Sequence, residues 1–251
     1  MNKKVTPYSN SDDNKKTQVT KMFDNIAVKY DFLNHSLSLG MDYVWRRIAL
    51  KKITNSPKEI IDIATGTADF AISAAKLTKA NITGIDISTK MLEVGNIKIN
   101  DKNLKKRIKL INGDCEKLPF KDNSFDAMTA GFGVRNFDNL QKGLKEMYRV
   151  LKDESILVVL EPSIPKSFPL NIIFKFYFSN ILPLLGRIIS KDKSAYTYLP
   201  DSVDAFPSGD EFIKELEISG FRNCKHIPCL LYTSDAADDL LCVDLGGRRI
   251  I

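Results

Sequence analysis

Three acids stand where chemistry could begin. Asp62 lies at the end of the apolar run Glu59–Ile63, Asp86 closes Asn81–Asp86, and Asp114 follows Ile108–Asn112. After the first run comes a turn of small residues, Ala64-Thr65-Gly66-Thr67-Ala68. Small residues between a strand and a helix let backbone N–H groups come close to a ligand. The helix N-terminus behind them favours an anionic group. One glycine is a weak signal, since small residues in such a turn also serve packing alone. Asp86 adds weight, because an acid about 20 residues beyond the glycine accepts hydrogen bonds from both hydroxyls of a ribose. Nicotinamide dinucleotides and S-adenosylmethionine both carry such a ribose. The stretch Gly66-Thr67-Ala68-Asp69-Phe70-Ala71 lacks the GxGxxG spacing that a pyrophosphate needs. Asp62 suits a cationic amino-acid head better than a diphosphate. Asp114 falls near the expected adenine edge, although Asn112-Gly113-Asp114 is also ordinary turn chemistry.

The elements that would hold these acids alternate. The apolar runs Glu59–Ile63, Asn81–Asp86, Ile108–Asn112, Ser124–Ala130 and Ser155–Glu161 are separated by helical patterns over Phe70–Leu77, Thr89–Asn100 and Leu140–Leu151. Nearly continuous apolar strands alternating with helices argue for a parallel sheet covered on both faces. Composition agrees: 43% hydrophobic and 27% charged residues exclude general disorder in a chain of 251. Cys115, Cys224, Cys229 and Cys242 show no CxxC spacing, and His35 and His226 are the only histidines, so no metal site and no disulfide framework is expected. The N-terminus lacks the apolar core of a signal peptide, so a reduced cytoplasmic protein is expected. The net charge of +6 decides no partner by itself. The basic run Lys102, Lys105, Lys106, Arg107, Lys109 reads first as a solvated connection and second as contact with an anionic membrane surface. It lacks interleaved aromatics for base stacking, so nucleic acid is not expected as a partner.

Residues 1–16 read as a flexible N-terminus and 17–228 as a single domain. Within that domain, 17–55 form a helical cap and 163–200 a helical insertion after the fifth strand. The apolar stretch Phe168–Ile189 is interrupted by Asn171, Lys175, Asn180, Pro183 and Arg187, which fits a flap over an apolar pocket better than a membrane span. A short helix over 209–219 stops at Gly220, and Phe221–Ile227 reads as a strand. The tail 229–251 reads CLLYTSDAADDLLCVDLGGRRII, resembles a translated adapter and is taken as foreign. The acids of Asp235–Asp239 and the pair Gly246-Gly247 are poor strand material. The tail is therefore expected to supply no final strand and to leave a sheet edge open.

Several segments are specific in combination: YDFLNHSLSLGMDYVW from Tyr30 to Trp45, GDCEKLPFKDNSFD, GFGVRNFDN from Gly131 to Asn139, RVLKDESILVVLEPS from Arg149 to Ser163, and AYTYLPDSVDAFPSGDEF from Ala195 to Phe212. From about Thr17 to Ile227 the chain resembles the S-adenosylmethionine-dependent C-methyltransferases of ubiquinone and menaquinone biosynthesis. It departs from them at Leu33 (usually Met), at Asp42 (usually His), at Asp153-Glu154-Ser155 (usually Pro-Gly-Gly) and at Gly131, where many members carry a serine.

The resemblance implies the class I, Rossmann-like α/β fold and S-adenosylmethionine as cofactor, with Thr67, Asp86, Asp114 and Cys115 as its contacts. It implies methyl transfer to a ring carbon of a polyprenylated quinol, either demethylmenaquinol or 2-methoxy-6-polyprenyl-1,4-benzoquinol. Arg135 and Asn136 are implicated in catalysis on the quinol side. Arg135 is no ordinary base, and its plainer reading is an ion pair with Asp138. His35 is a weaker candidate. The implied partners are the quinol, a second copy of the chain, the inner face of the membrane and other quinone-biosynthesis enzymes. A nicotinamide oxidoreductase and a basic RNA-binding protein are the rival readings.

Overall fold

The computed structural model describes residues 5–163, 168–169, 171–172, 176–177, 180, 194–228 and 241–247. The chain opens with α1 (Lys15–Leu37) and α2 (Met41–Leu50), then alternates β1 (Glu59–Ile63), α3 (Asp69–Leu77), β2 (Asn81–Asp86), α4 (Thr89–Asp101), β3 (Ile108–Asn112) and β4 (Phe125–Gly131). A single 3₁₀ turn (Val134–Asn136) leads to α5 (Leu140–Val150) and β5 (Leu151–Pro162). Helices α6 (Ser194–Ala205) and α7 (Asp210–Ile218) precede β6 (Arg222–Pro228) and β7 (Leu241–Gly247). Side-chain caps start three of the helices: Asn14 accepts the N–H of Thr17, Ser88 that of Met91, and Asn139 that of Lys142. Residues 8–13 are tied to α1 by Gln18, whose amide bonds Tyr8 N and the carbonyl of Asp13.

The seven strands run in the order β3-β2-β1-β4-β5-β7-β6. Strands β1 to β5 are mutually parallel and β7 is antiparallel to both neighbours. Both faces are covered, which is why the strands read as unbroken apolar runs. On one face Ile60, Ile82, Ala127 and Val158 pack with Phe70, Ala71 and Ala74 of α3 and Leu50 of α2. On the other Ile61, Ile63, Met128 and Leu157 pack with Leu144 and Met147 of α5 and Phe212 and Leu216 of α7. Strand order reverses between β1 and β4, and a sheet of this kind opens a crevice at the carboxyl ends of the strands there. All three acids singled out in the sequence sit at that end.

The tail differs from its expectation in one respect. Leu241–Gly247 does form a strand, paired as Val158↔Leu245 and Leu160↔Val243 on one side and Lys225↔Leu245 and Ile227↔Val243 on the other. Strands β5 and β6 present facing ladders that need a partner, and Leu241, Val243 and Leu245 recur at strand period. Gly246 and Gly247 fall at the end of the ladder, opposite Leu157 and Ile156. The acids of 235–239 precede this strand and lie outside the described residues, as does most of the insertion. Among the described residues no helix is long and apolar enough to cross a membrane. The basic run is placed at the start of β3, at the opposite end of the sheet from the crevice. Arg107 is structural there, donating to the carbonyls of Ala75, Thr78 and Ala80.

Strand β5 begins earlier than its apolar run suggested. Leu151 already pairs with Phe125, and the register then shifts around Glu154, whose φ is 61°. Glu154 is exposed and stands in the turn where the resembled family carries glycines. A left-handed non-glycine residue costs about 1–2 kcal/mol, and glycine there gives back about 0.5–1 kcal/mol in backbone entropy. Glu154→Gly should therefore raise Tm by a degree or more in a thermal melt; a fall would show that the Glu154 side chain outweighs the strain.

Candidate active site

The turn after β1 is strained in a regular way. Ala64, Gly66 and Ala68 have φ of 50°, 53° and 67°. Thr65 N–H donates to Ile85 O at 3.0 Å, and Gly66 N–H to Asp86 Oδ2 at 2.8 Å. Asp86 also accepts Ser88 N–H at 2.8 Å. The turn is thus bound to the end of β2, and its backbone faces a cavity. A Cβ on Gly66 would meet nothing within 4 Å, because it would project into that space.

The cavity has two lobes that share Tyr30, Ala64, Gly66, Gly131 and Phe132. The first is lined by Lys16, Phe23, Asp86, Asp114, Cys115 and Asn136. The second is lined by Arg46, Asp62, Thr65, Thr67, Asp69 and Phe70. Thr67, Asp86, Asp114 and Cys115, the four cofactor contacts implied in the sequence, all border this one space.

Burial pushes the Asp86 carboxyl above its ordinary value, only partly offset by the N–H groups of Ser88 and Gly66. Each of its oxygens accepts one backbone bond and keeps a lone pair for a hydroxyl. At Asp114 burial acts upward too, but the Lys16 ammonium at 2.7 Å and the N–H of Glu116 outweigh it and hold the carboxyl below the usual range. Burial, followed by the charge of Asp86, pushes the Cys115 thiol well up, so it is a neutral wall residue and no nucleophile. Burial raises Asp62 to about 6, against the hydroxyls of Thr129 at 2.6 Å and Thr65 at 2.5 Å.

Helix α1 roofs the cavity and is pinned along its length. Lys15 Nζ donates to the carbonyl of Phe137 at 2.8 Å, and Asp24 accepts Ser88 Oγ at 2.6 Å. Asp31 accepts the Thr67 hydroxyl and pairs with Lys98 at 2.6 Å. Asp31, His35 and Asp69 approach one another as metal ligands would, their ligand atoms lying within 4.8 Å. The Lys98 ammonium, 2.6 Å from Asp31 and 2.5 Å from Asp69, already supplies the positive charge there. His35 Nδ1 bonds Asp42 at 2.7 Å and its ring stacks on Tyr43, so it serves this clasp between α1 and α2.

The pair proposed for catalysis divides. Asn136 lines the cavity, and its Oδ1 accepts the hydroxyl of Tyr198 at 3.1 Å. Arg135 borders neither lobe. Its Nη1 donates to Glu161 Oε2 at 2.7 Å and to the carbonyl of Phe132 at 2.5 Å, and its side chain is 8% exposed. The ion-pair partner is thus Glu161 at the end of β5, in place of the expected Asp138. Sequence reasoning also passed over Lys16, Tyr30 and Arg46 as cavity residues. Only Arg46 left a readable trace, as an acid–base pair with Asp42 at i,i+4 on α2.

A model of the ubiE/COQ5 methyltransferase family matches residues 11–229. The chain belongs to this family. It is 46% identical over 238 residues to a demethylmenaquinone methyltransferase of Bacteroides fragilis, covering 92% of this chain and 97% of the relative. It is 45% identical over 222 residues to one of Porphyromonas gingivalis, covering 87% and 90%. A ubiquinone/menaquinone biosynthesis C-methyltransferase of Geotalea daltonii is 46% identical over 212 residues, covering 83% and 90%. Among solved structures, an S-adenosylmethionine-dependent methyltransferase of Thermotoga maritima superposes with a TM-score of 0.64 at 21% identity, covering 91% of this chain and 99% of that one. The [4+2]-cyclase SpnF reaches 0.63 at 18%, covering 89% and 77%. Such likenesses show the fold alone, and the cyclase illustrates that the fold does not fix the chemistry. Family membership does, and this methyltransferase uses S-adenosylmethionine. The donor set fits that cofactor: acceptors for a ribose and an adenine in one lobe, and charged groups for an amino acid in the other.

Gly131 borders both lobes. A Cβ there would lie 2.7 Å from Phe70 Cδ1, and one on Gly133 would collide with the Cβ of Ala64. The serine that the resemblance implies at position 131 in many members would therefore crowd the buried Phe70 here. Overpacking of this kind costs about 1–3 kcal/mol, so Gly131→Ser should melt several degrees below the wild type by calorimetry; an unchanged Tm would show that the ring yields freely.

Proposed function

We propose that this methyltransferase converts demethylmenaquinol to menaquinol by methylating a ring carbon. The observation that carries this reading is the 46% identity, across nearly the whole of both chains, to a protein named demethylmenaquinone methyltransferase. The bound cofactor supplies an electrophilic methyl group on a cationic sulfur. The chain's own residues bind, orient and exclude water. Asp86 accepts the ribose hydroxyls, Asp114 faces the adenine, and Asp62 faces the ammonium of the amino-acid head. Thr67 lies beside that head, and Cys115 bounds the adenine side through its backbone. Loss of the quinol hydroxyl proton to water would place negative charge on that ring oxygen, where the Asn136 amide would donate to it. The charge then moves through the ring as the neighbouring carbon takes the methyl and the cationic sulfur becomes a neutral thioether. The hydrogen on that carbon leaves to water as a proton as the ring regains aromaticity. Tyr198 holds the Asn136 oxygen, which leaves the NH₂ group for the quinol. Burial pushes the Tyr198 hydroxyl up to about 12, so it remains a donor across the working range. Arg135, fixed by Glu161, supports the turn from behind. Positioning of this type is worth roughly 7–11 kcal/mol of the barrier. The prenyl tail and contact with the membrane belong to the same proposal, as does a second copy of the chain.

Incubation with S-adenosylmethionine and short-chain quinols, followed by mass spectrometry, tests the substrate. Demethylmenaquinol should gain one methyl group faster than 2-methoxy-6-polyprenyl-1,4-benzoquinol. Methylation of the benzoquinol alone, or of neither, would overturn the reading.

The Asp62 carboxyl gives a pH dependence. Its folded value of about 6 lies above the ordinary 3.8, so its contribution to the stability of the free protein declines as pH rises between the two. A cationic head needs the carboxylate. Below pH 6 the affinity for S-adenosylhomocysteine should fall by about tenfold per pH unit, and Asp62→Asn should abolish that slope in calorimetric titrations from pH 5 to 8. A slope that survives in Asp62→Asn would assign the dependence elsewhere.

A further inference from the structure

Arg46 has no role in the reading above, yet it is the one guanidinium that lines the cavity among the described residues. It is 4% exposed. A buried arginine needs acceptors, and Arg46 is only partly supplied. Its Nη1 bonds Asp42 one turn earlier on α2. Its Nη2 stands 3.7 Å from Asp69 Oδ2, outside hydrogen-bond distance. Asp69 is itself held by Lys98 at 2.5 Å. The guanidinium carries five N–H donors in a rigid fork, so several remain for a ligand. Phe132 lies under it, 5.7 Å from the guanidinium carbon to the ring centroid, and fixes its plane.

The second lobe thus offers two opposite charges to one small space. Asp62 ends β1 and Arg46 faces it from α2, close enough that its charge lowers the Asp62 carboxyl. The charged groups that the first lobe offers a ligand are the acceptors Asp86 and Asp114, since Lys16 is spent on Asp114 and Glu116. A group that satisfies the second lobe carries an ammonium and a carboxylate on one carbon. We infer that Arg46 binds the α-carboxylate of the cofactor's amino-acid head, opposite the ammonium at Asp62, and that this pair selects a complete aminoacyl nucleoside over a bare one. The inference rests on the cofactor assignment and goes beyond it by naming the carboxylate anchor. A purely structural Arg46, clasping α2 to α3 through Asp42 and Asp69, is the competing account.

Calorimetric titration of the full chain with S-adenosylhomocysteine and with its decarboxylated analogue separates the two. The analogue keeps adenosine, sulfur and amine and lacks only the carboxylate. Wild-type protein should bind S-adenosylhomocysteine about 10- to 150-fold tighter than the analogue, the range for hydrogen bonds between charged groups. In Arg46→Gln the two affinities should converge, while affinity for the analogue stays within about threefold of wild type. Equal affinities in the wild type, or a preserved ratio in Arg46→Gln, would overturn the assignment. Equal loss for both ligands would assign Arg46 to the structural clasp. If Arg46→Gln does not fold, Arg46→Lys keeps the charge without the fork, and its ratio should drop severalfold; an unchanged ratio there also overturns the proposal. Binding of neither nucleoside to wild-type protein would remove the cofactor reading itself, an outcome distinct from equal binding of both.

Discussion

The carboxylate of Asp86 accepts the N–H groups of Gly66 and Ser88, each at 2.8 Å, and so joins the loop after β1 to the loop after β2. Everything around the cavity depends on that joint. It holds Gly66 at a left-handed φ with its backbone facing open space, and it sets the start of α4, where Ser88 then caps Met91 and bonds Asp24 of the roofing helix. The same carboxylate keeps a lone pair on each oxygen for a ribose. One buried acid therefore frames the cavity and is also the ribose contact proposed above, and burial raises its carboxyl despite the two bonds. A charge in such a place is stable only because backbone dipoles on both sides converge on it.

Around that joint the cavity is closed by contacts distant in sequence. Lys15 and Lys16 bridge from α1 to the loops after β4 and β3. Asp31 reaches Thr67 and Lys98, and His35 and Arg46 share Asp42. Three carboxylates, Asp31, Asp42 and Asp69, alternate with Lys98 and Arg46, and no charge in the clasp is left facing only apolar groups. Pairs of this kind add little net stability, but removing one partner strands the other. The clasp is better understood as fixing where the roof sits than as holding the domain together.

The sheet was legible because its inner parallel strands are buried on both faces and print nearly continuous apolar runs, while β3 at the edge keeps Lys109 and Asn112 exposed within a shorter run. The limits of β1, β2 and β3 agree with those runs to the residue. The acids at the strand ends were legible for the same reason, since an acid terminating a buried run has few ordinary explanations. What escaped were the pairings set by topology. Glu161 is 26 residues from Arg135, and nothing local says that β5 ends beside the turn after β4. Lys98 and Asp31 are 67 residues apart and meet only because α1 lies on α4. The last strand was misjudged because the acids of 235–239 dominated the reading of a segment whose strand starts later, at Leu241. Composition was averaged over a boundary that hydrogen bonding draws sharply.

The contact between Phe70 and the bare backbone at Gly131 also bears on how such a chain could have come to be. A side chain at 131 and a large ring at 70 compete for the same volume, and both positions line the second lobe of the cavity. Substitutions at the two places are therefore not independent steps. A lineage carrying serine at 131 reaches this arrangement at least cost by losing the serine first, and leaves it at least cost by first reducing the ring. Sterics favour that order, since the reverse passes through an overpacked intermediate about 1–3 kcal/mol less stable. Two neighbouring residues of the wall are thus coupled, and a serine at 131 is disfavoured in this chain while Phe70 remains.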